Sequence, residues 1–255
     1  VLTADGDSEW RNYYFRLPTE DEWEYATRAG TQTPISVTSD PNNRRPFPFL
    51  LEQIAWFETH RVENEEGPYE RGQLTPNAFG LYDCHGNVGE WCLPSQDLPD
   101  IPEEEMPLRG GNWTSSYRGC RSSQRDLVNS HFCSSGTGFR IMAVPLMPLS
   151  AEGRRLWTEL PPEPEVIATA AASADFTTMG LSGNHGIPDQ EITFRVVQPG
   201  TFLMGSPTTE VGRYHRETQH EVTLTHAYEI QTTEVTQLQW FLVMGNNPSF
   251  FQNQN

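Results

Sequence analysis

This chain of 255 residues is short of positive charge, of cysteine and of long apolar runs. Lys and Arg together number 17 against 34 Asp and Glu, for a formal net charge of −17. Such a surface repels phosphate backbones and anionic headgroups, which argues against a nucleic-acid or membrane-surface role. No apolar run approaches the roughly 20 residues that span a bilayer, so membrane insertion is not expected. The chain opens at VLTADGDSEW with neither an initiator Met nor a signal-peptide pattern, and reads as a processed product or a fragment. No internal repeat is found. Cys84, Cys92, Cys120 and Cys133 permit three full pairings, and spacing alone does not choose among them.

What is present suffices for a sizeable core, since 36% of the residues are hydrophobic and 11% aromatic. One irregular domain plus a linker is expected. The 20 glycines and 20 prolines suit a loop-rich fold. Thr19 and Glu22 form a capping-box pattern that starts a helix at Glu20, with Trp23, Tyr25 and Ala26 as its apolar stripe and Gly30 as its stop. Thr236 and Gln239 repeat the pattern for a second helix that ends near Gly245. Alternation through Val222, Leu224, His226, Tyr228 and Ile230 predicts one half-buried strand. Phe194, Val196 and residues 202–204 suggest a preceding hairpin, and residues 138–144 a further strand. Residues 145–190 carry Pro, Ala and Glu without sustained period and read as a linker or surface connection.

Histidines at 215, 220 and 226 fit neither a helical zinc site nor a finger spacing, and satisfied histidines at a sheet margin are the expectation. Arg16 has acidic partners at hand in Glu20, Asp21, Glu22 and Glu24. Arg140 is expected to be a buried fork on carboxylate or carbonyl oxygens. Trp91 and Trp113 are expected in the core.

Four runs carry a family resemblance: RLPTEDEWEYATRAG at 16–30, NAFGLYDCHGNVGEWC at 77–92, LRGGNWTSSYRGCRSSQRD at 108–126 and FLMGSPTTEVGRYHRETQHEVTLTHAYEIQTTEVTQLQWF at 202–241. Together they resemble the formylglycine-generating enzyme (sulfatase-modifying factor) family, over roughly residues 13–142 and 191–251. The run at 202–241 resembles the family domain's beginning, yet it follows the other three. Residues 1–144 would then be the C-terminal portion of the domain and 191–255 the N-terminal portion, joined through 145–190 into one compact, circularly permuted domain. A seam between two tandem copies is the competing reading, and loss of a helix between the NPSFF and RLPTE motifs is a third. The resemblance implies an α+β fold, the formylglycine-generating-enzyme variety of the C-type lectin-like fold, with little regular secondary structure.

It also implies chemistry. In the family, two cysteines after the RGGS motif bind copper as thiolates, a soft pair suited to Cu(I). Here Thr114, Ser115 and Ser116 follow Asn112 and Trp113 where the first is expected, and Cys120 fits the structural CRSA-type position. Copper binding and formylglycine formation are therefore not expected. The iron-binding helical region of the related ergothioneine-pathway synthases has no counterpart. Asn87 and Glu90 in GNVGEW are candidate oxygen ligands for calcium, though Gly89 stands where the family usually has Trp. The resemblance favours a Cys92–Cys120 disulfide, with Cys84–Cys133 as a second pair, and an extracellular or periplasmic location. The function it implies is a non-catalytic extracellular binding or assembly module, recognising a protein or small polar ligand through loops 112–117 and 126–135. The candidate contact residues are Asn112, Trp113, Tyr117, Arg121, Arg125 and Asp126. A divergent copper-dependent oxidase acting on a sulfatase cysteine and a structural subunit of a cell-surface assembly are the alternatives, and homo- or hetero-oligomers fit either.

Overall fold

A computed structural model describes residues 13–37, 47–60, 67–95, 101–102, 104–145, 176–181 and 190–247. It is a strand-rich α+β arrangement with few helices. The N-terminal part contributes β1 (Tyr13–Arg16), α1 (Glu20–Arg28), α2 (Phe47–Leu51), β2 (Ala55–Trp56), β3 (His85–Gly86), β4 (Gly89–Trp91), β5 (Glu105–Arg109), β6 (Arg125–Asn129), β7 (Thr137–Gly138) and β8 (Met142–Pro145). The C-terminal part adds β9 (Phe176–Leu181), β10 (Gln190–Val197), β11 (Gly200–Met204), β12 (His220–Leu224), β13 (Tyr228–Gln231) and α3 (Gln237–Met244).

α1 and α3 start as their capping boxes require. Thr19 accepts from the Glu22 amide while Glu22 reaches back to the Thr19 N–H, and Thr236 and Gln239 do the same for α3. Ala29, not Gly30, takes the left-handed cap of α1, and Gly245 caps α3.

The largest sheet runs β1-β8-β13-β10-β9, all antiparallel, so strands from both parts of the chain alternate within it. β8 and β10 share this sheet with β13 between them. A four-stranded sheet β6-β5-β4-β7 and the pairs β11-β12 and β2-β3 complete the architecture. β9 lies inside the stretch expected as linker, where it forms the edge beside β10. Residues 146–175 and 182–189 of that stretch, and the expected chain ends at 1–12 and 248–255, lie outside the described residues.

Three strand expectations need correction. The run from Val222 to Ile230 is two strands in different sheets, β12 against β11 and β13 between β8 and β10. Tyr228, Glu229, Ile230 and Gln231 are all buried, because β13 is central and covered on both faces. Second, β10 and β11 do not form a hairpin with each other; β10 pairs with β9 and β13, and β11 with β12. Third, residues 138–144 divide between the end of β7 and β8, with the buried Arg140 in the unpaired stretch between them.

Apolar side chains gather in four clusters, one around Trp23, Leu81, Cys84, Cys92, Met142 and Ile230. A separate one holds Cys120 with Ile35, Leu51, Ile54 and Phe57. The others sit beneath β9 and β10 and between β11 and β12. This division overturns the disulfide expectation. Cys92 and Cys120 are committed to different clusters, Cys84 is buried and Cys133 exposed, and all four thiols are free. The covalent argument for an oxidising compartment goes with the bridges. Among the described residues, no helix is long and apolar enough to cross a membrane.

Protein purified without reductant should therefore titrate four thiols after denaturation and one, Cys133, while native. A native thiol count of zero with two or fewer after denaturation would restore a disulfide framework.

Candidate functional site

β5 delivers Arg109 to the interior and ends at Gly110 and Gly111, both at positive φ. A Cβ on Gly111 would stand 2.5 Å from the Gly119 carbonyl oxygen, so only glycine lets the outgoing and returning chain pass this closely. Between them Asn112 builds a tight turn: its Oδ1 accepts from the Thr114 amide at 2.9 Å and hydroxyl at 2.8 Å, and from Ser115 Oγ at 3.2 Å. Trp113 turns inward, its amide donating to the Asn87 carbonyl. Thr114, Ser116 and Arg118 face solvent, and Tyr117 packs edge-on against Phe47 with the Arg118 guanidinium over its ring. Residues 129–134 are exposed, and Gly136 abuts Asn112 so closely that a Cβ there would meet Nδ2 at 2.8 Å. The two segments expected to recognise a partner therefore adjoin.

Of the six expected contact residues, Asn112 and Tyr117 are half-buried in this loop, and Asp126 is exposed on β6 beside Gln124. Trp113 is buried. Arg121 and Arg125 are corrections, since both are buried ion-pair forks. Arg121 binds both oxygens of Glu217 at 2.7 and 2.6 Å, Glu210 at 2.7 Å and the Gly212 carbonyl. Arg125 holds both oxygens of Glu20 at 2.5 and 2.9 Å. Arg109 pairs with Glu24 and Glu20, and Arg28 with Glu24. Glu24 in turn accepts from the Gly205 amide, whose carbonyl takes Arg28. The sequence showed acidic residues on α1 but not that Glu210 and Glu217 return to meet Arg121. Only the loop 205–218 brings them there.

The pair offered for calcium does not fit a cation. Asn87 Oδ1 accepts from the Tyr69 amide, and Asn87 Nδ2 donates to Glu234 at 3.2 Å. Glu90 is held by Trp23 Nε1 at 2.7 Å and by Arg140 Nε and Nη2 at 2.6 Å each. Among the described residues, no group of three or more His, Cys, Asp or Glu is placed to hold a metal. Arg140 is the expected fork, and it also donates to the carbonyls of Tyr82, Gln231 and Thr232. Beside it lie Asp83 and Glu234, each with one buried oxygen lacking a hydrogen-bond partner. Burial pushes the Glu234 carboxyl well above 4.5, with Asp83 and Glu90 adding to it and Arg140 opposing. Asp83 is raised too, chiefly by burial.

Thiol chemistry in the loop is muted. Cys120 is fully buried, and desolvation pushes its thiol up to about 12. His85 is neutral: its Nδ1–H donates to the Cys120 carbonyl at 2.8 Å, Nε2 accepts from the Ser36 amide at 3.2 Å, and burial lowers it to about 4.

Two predictions follow from this interior. Arg140→Lys replaces a five-donor fork with a point charge and leaves Glu90 partly unpaired, which should cost about 3 kcal/mol in urea unfolding. His85, lowered in the folded state, adds stability that is full above the unfolded value of about 6.5 and is lost as pH falls toward about 4. Glu234, raised in the folded state, adds stability that is full below the unfolded value of about 4.3 and is lost as pH rises through its higher folded value. The two slopes oppose each other across mildly acidic pH. Glu234→Gln should therefore steepen the rise of stability between about pH 4 and 6.5; an unchanged profile would show that Glu234 is ionised at no cost.

Residues 4–144 match the family model of the sulfatase-modifying factor enzyme 1-like domain. The chain is similar to the chaperone protein LppX of Paenibacillus barcinonensis, 28% identical over 50% of this chain and 49% of that protein. It resembles the inactive C-alpha-formylglycine-generating enzyme 2 of Bos taurus at 32% identity, over 43% of this chain and 35% of the relative. With the formylglycine-generating enzyme of Mycobacterium tuberculosis it shares 27% identity over 51% of this chain and 52% of that enzyme. The chain thus spans about half, or less, of the length of these curated relatives. Among solved structures, PvdO from Pseudomonas aeruginosa matches with a TM-score of 0.44 at 27% identity, covering 55% of this chain and 56% of that one. With more than half of its residues matched by the family model, the chain belongs to the sulfatase-modifying factor enzyme 1-like family.

Proposed function

We propose that this domain is a non-catalytic binding or assembly module of its family, with loops 112–117 and 126–135 as the recognition surface. One observation carries the reading. In the loop where the family resemblance places two copper-binding cysteines, the exposed positions hold Thr114 and Ser116, and the one thiol, Cys120, is buried and protonated. Hydroxyls are hard donors and match Cu(I) poorly. A thiol pushed to about 12 supplies almost no thiolate at neutral pH. The names of two relatives, an inactive formylglycine-generating enzyme 2 and a chaperone protein, fit a family in which the scaffold is kept without the oxidation.

The same reading treats the motif order as a circular permutation within one lectin-like domain. Arg121 to Glu217, Arg140 to Gln231 and Arg71 to Glu234 all join the two parts, as a single domain requires. The two segments expose Thr114, Ser116, Asp126 and Phe132, with the neighbouring Arg118 exposed and Tyr117 half-buried, a mixture of hydroxyl, aromatic and charged groups suited to a polar protein partner.

Copper-loaded protein incubated with a CxPxR peptide, oxygen and a thiol reductant should give no aldehyde. Multiple-turnover loss of the peptide thiol with aldehyde formation would overturn the reading. A photocrosslinker at Ser116 should capture a defined partner in the producing cells while one at Thr201, exposed on β11, does not; equal capture at both would remove the surface from consideration.

A further inference from the structure

Arg16, Arg28, Arg109, Arg121, Arg125 and Arg140 each hold a carboxylate. Arg118, Arg213 and Arg216 hold none among the described residues, and they come from two loops that touch. Arg118 directly follows the loop 112–117, and its side chain lies over Gly212, where a Cβ would stand 2.9 Å from Arg118 Cγ. From the buried side Arg121 fixes the same contact, donating to the Gly212 carbonyl at 2.8 Å. Arg213 is the next residue, and Arg216 follows in the same loop, 205–218.

Charge is segregated across that loop. Its two acids, Glu210 and Glu217, turn inward onto Arg121, with side chains only 4% and 0% exposed. The hydroxyls of Ser206 and Ser123 also donate to Glu217. Arg216 faces solvent, while Arg213 is half-buried with its Nε on the Ser206 carbonyl. Apolar surface lies beside these cations. Val211, at 64%, is the most exposed large hydrophobic side chain among the described residues, and Tyr214 is 55% exposed. Exposed acids adjoin the other side of the recognition loop: Asp126 beside Gln124, and Glu58, whose amide donates to the Ser115 carbonyl. A solvated arginine needs no partner, and each of the three alone would be an ordinary surface cation. Together they gather on two touching loops from which both acids of the second have been withdrawn, in a chain with 34 acidic residues against 17 basic ones. Arginine and tyrosine are also the residue types enriched at protein interfaces.

We propose, building on the module reading above, that Arg118 and loop 205–218 extend the recognition surface, and that the partner presents an acidic polypeptide segment with apolar side chains among its carboxylates. Guanidinium forks match carboxylates with two parallel hydrogen bonds. Val211 and Tyr214 would cover the apolar side chains. Salt at physiological strength screens charges beyond about 8 Å, so the local cations, and not the net charge of the chain, govern such a contact. A nucleic acid is the poorer occupant, because a strand running on past this patch meets the excess of acidic residues.

Fluorescence anisotropy on the full chain tests this with a fluorescein-labelled peptide of Glu-Glu-Phe repeats, beside peptides with Gln or Lys in place of every Glu. Saturable binding of the Glu peptide alone is expected, weakening as salt is raised. Arg118→Gln and Arg216→Gln should each weaken it about threefold, and together about tenfold. Arg216 makes no ion pair, so its variant serves even if Arg118→Gln loosens the loop. Gln73→Glu, which changes net charge as much as one arginine loss but on the segment held by Asp83, should leave the affinity within about twofold. Failure of the Glu peptide to bind, equal binding of the Gln peptide, unaltered affinity in the double variant, or tighter binding of a single-stranded oligonucleotide would overturn the proposal. Each of these outcomes concerns the charge of the partner and leaves capture at Ser116 untouched, so the module reading stands or falls separately.

Discussion

The buried arginine fork is the interaction on which this structure depends. Arg140 is completely removed from solvent, yet its donors are met by Glu90 and by three backbone carbonyls drawn from Tyr82, Gln231 and Thr232. A guanidinium in such a place is tolerated only when every neighbour is positioned to receive it. The converse also holds: the turn containing Tyr82, the strand β4 carrying Glu90 and the end of β13 are held in register because one planar group must satisfy all of them. None of the 17 Lys and Arg positions of this chain is lysine. That choice suits an interior built from bidentate and carbonyl-directed contacts, where a lysine ammonium would satisfy fewer partners and would lose its charge more readily on burial.

These forks also explain how an irregular chain stays single-valued. Two of the sheets have only two strands each, so ladder hydrogen bonds alone define little of the architecture. The apolar contacts are divided among four clusters, and hydrophobic packing is non-directional. Directional contacts fix what those leave open. Glu24 illustrates the economy: one carboxylate receives Arg28, Arg109 and the Gly205 amide, tying α1, β5 and the turn after β11 together. Such pairs add little net stability over an apolar replacement, but each removal leaves its partner buried and unpaired. Their contribution here is to position.

Local features were legible in the sequence and long-range ones were not. Both capping boxes could be read because the partners lie three residues apart and their geometry is set by the first helical turn. Arg140 could be read as a fork because a basic residue between apolar strand segments has few other fates. The alternation from Val222 to Ile230 misled, since a period of two says which residues share a face but not whether the strand stays in one sheet. Arg121 and Arg125 misled for a related reason. In a loop-rich motif an arginine looks available until the acids that claim it, Glu217 and Glu20, are brought in from 96 and 105 residues away. The cysteines failed in the same way, with two of the expected partners assigned to separate cores by topology alone.

The candidate site inherits its character from this arrangement. Because the ion pairs and the Gly111–Gly119 crossing fix both ends of the loop, residues 112–117 are presented on a rigid base, with Thr114 and Ser116 turned to solvent. Cys120 lies on the fixed side of that boundary, packed with Ile35, Leu51 and Phe57, and its carbonyl is bound by His85. A thiol serving redox chemistry needs the opposite placement, partly exposed and close to positive charge. Converting this loop to a thiolate pair would therefore require more than restoring one cysteine at Thr114, Ser115 or Ser116. The second sulfur would also have to be drawn out of a core whose packing, and whose neutral histidine, keep it there.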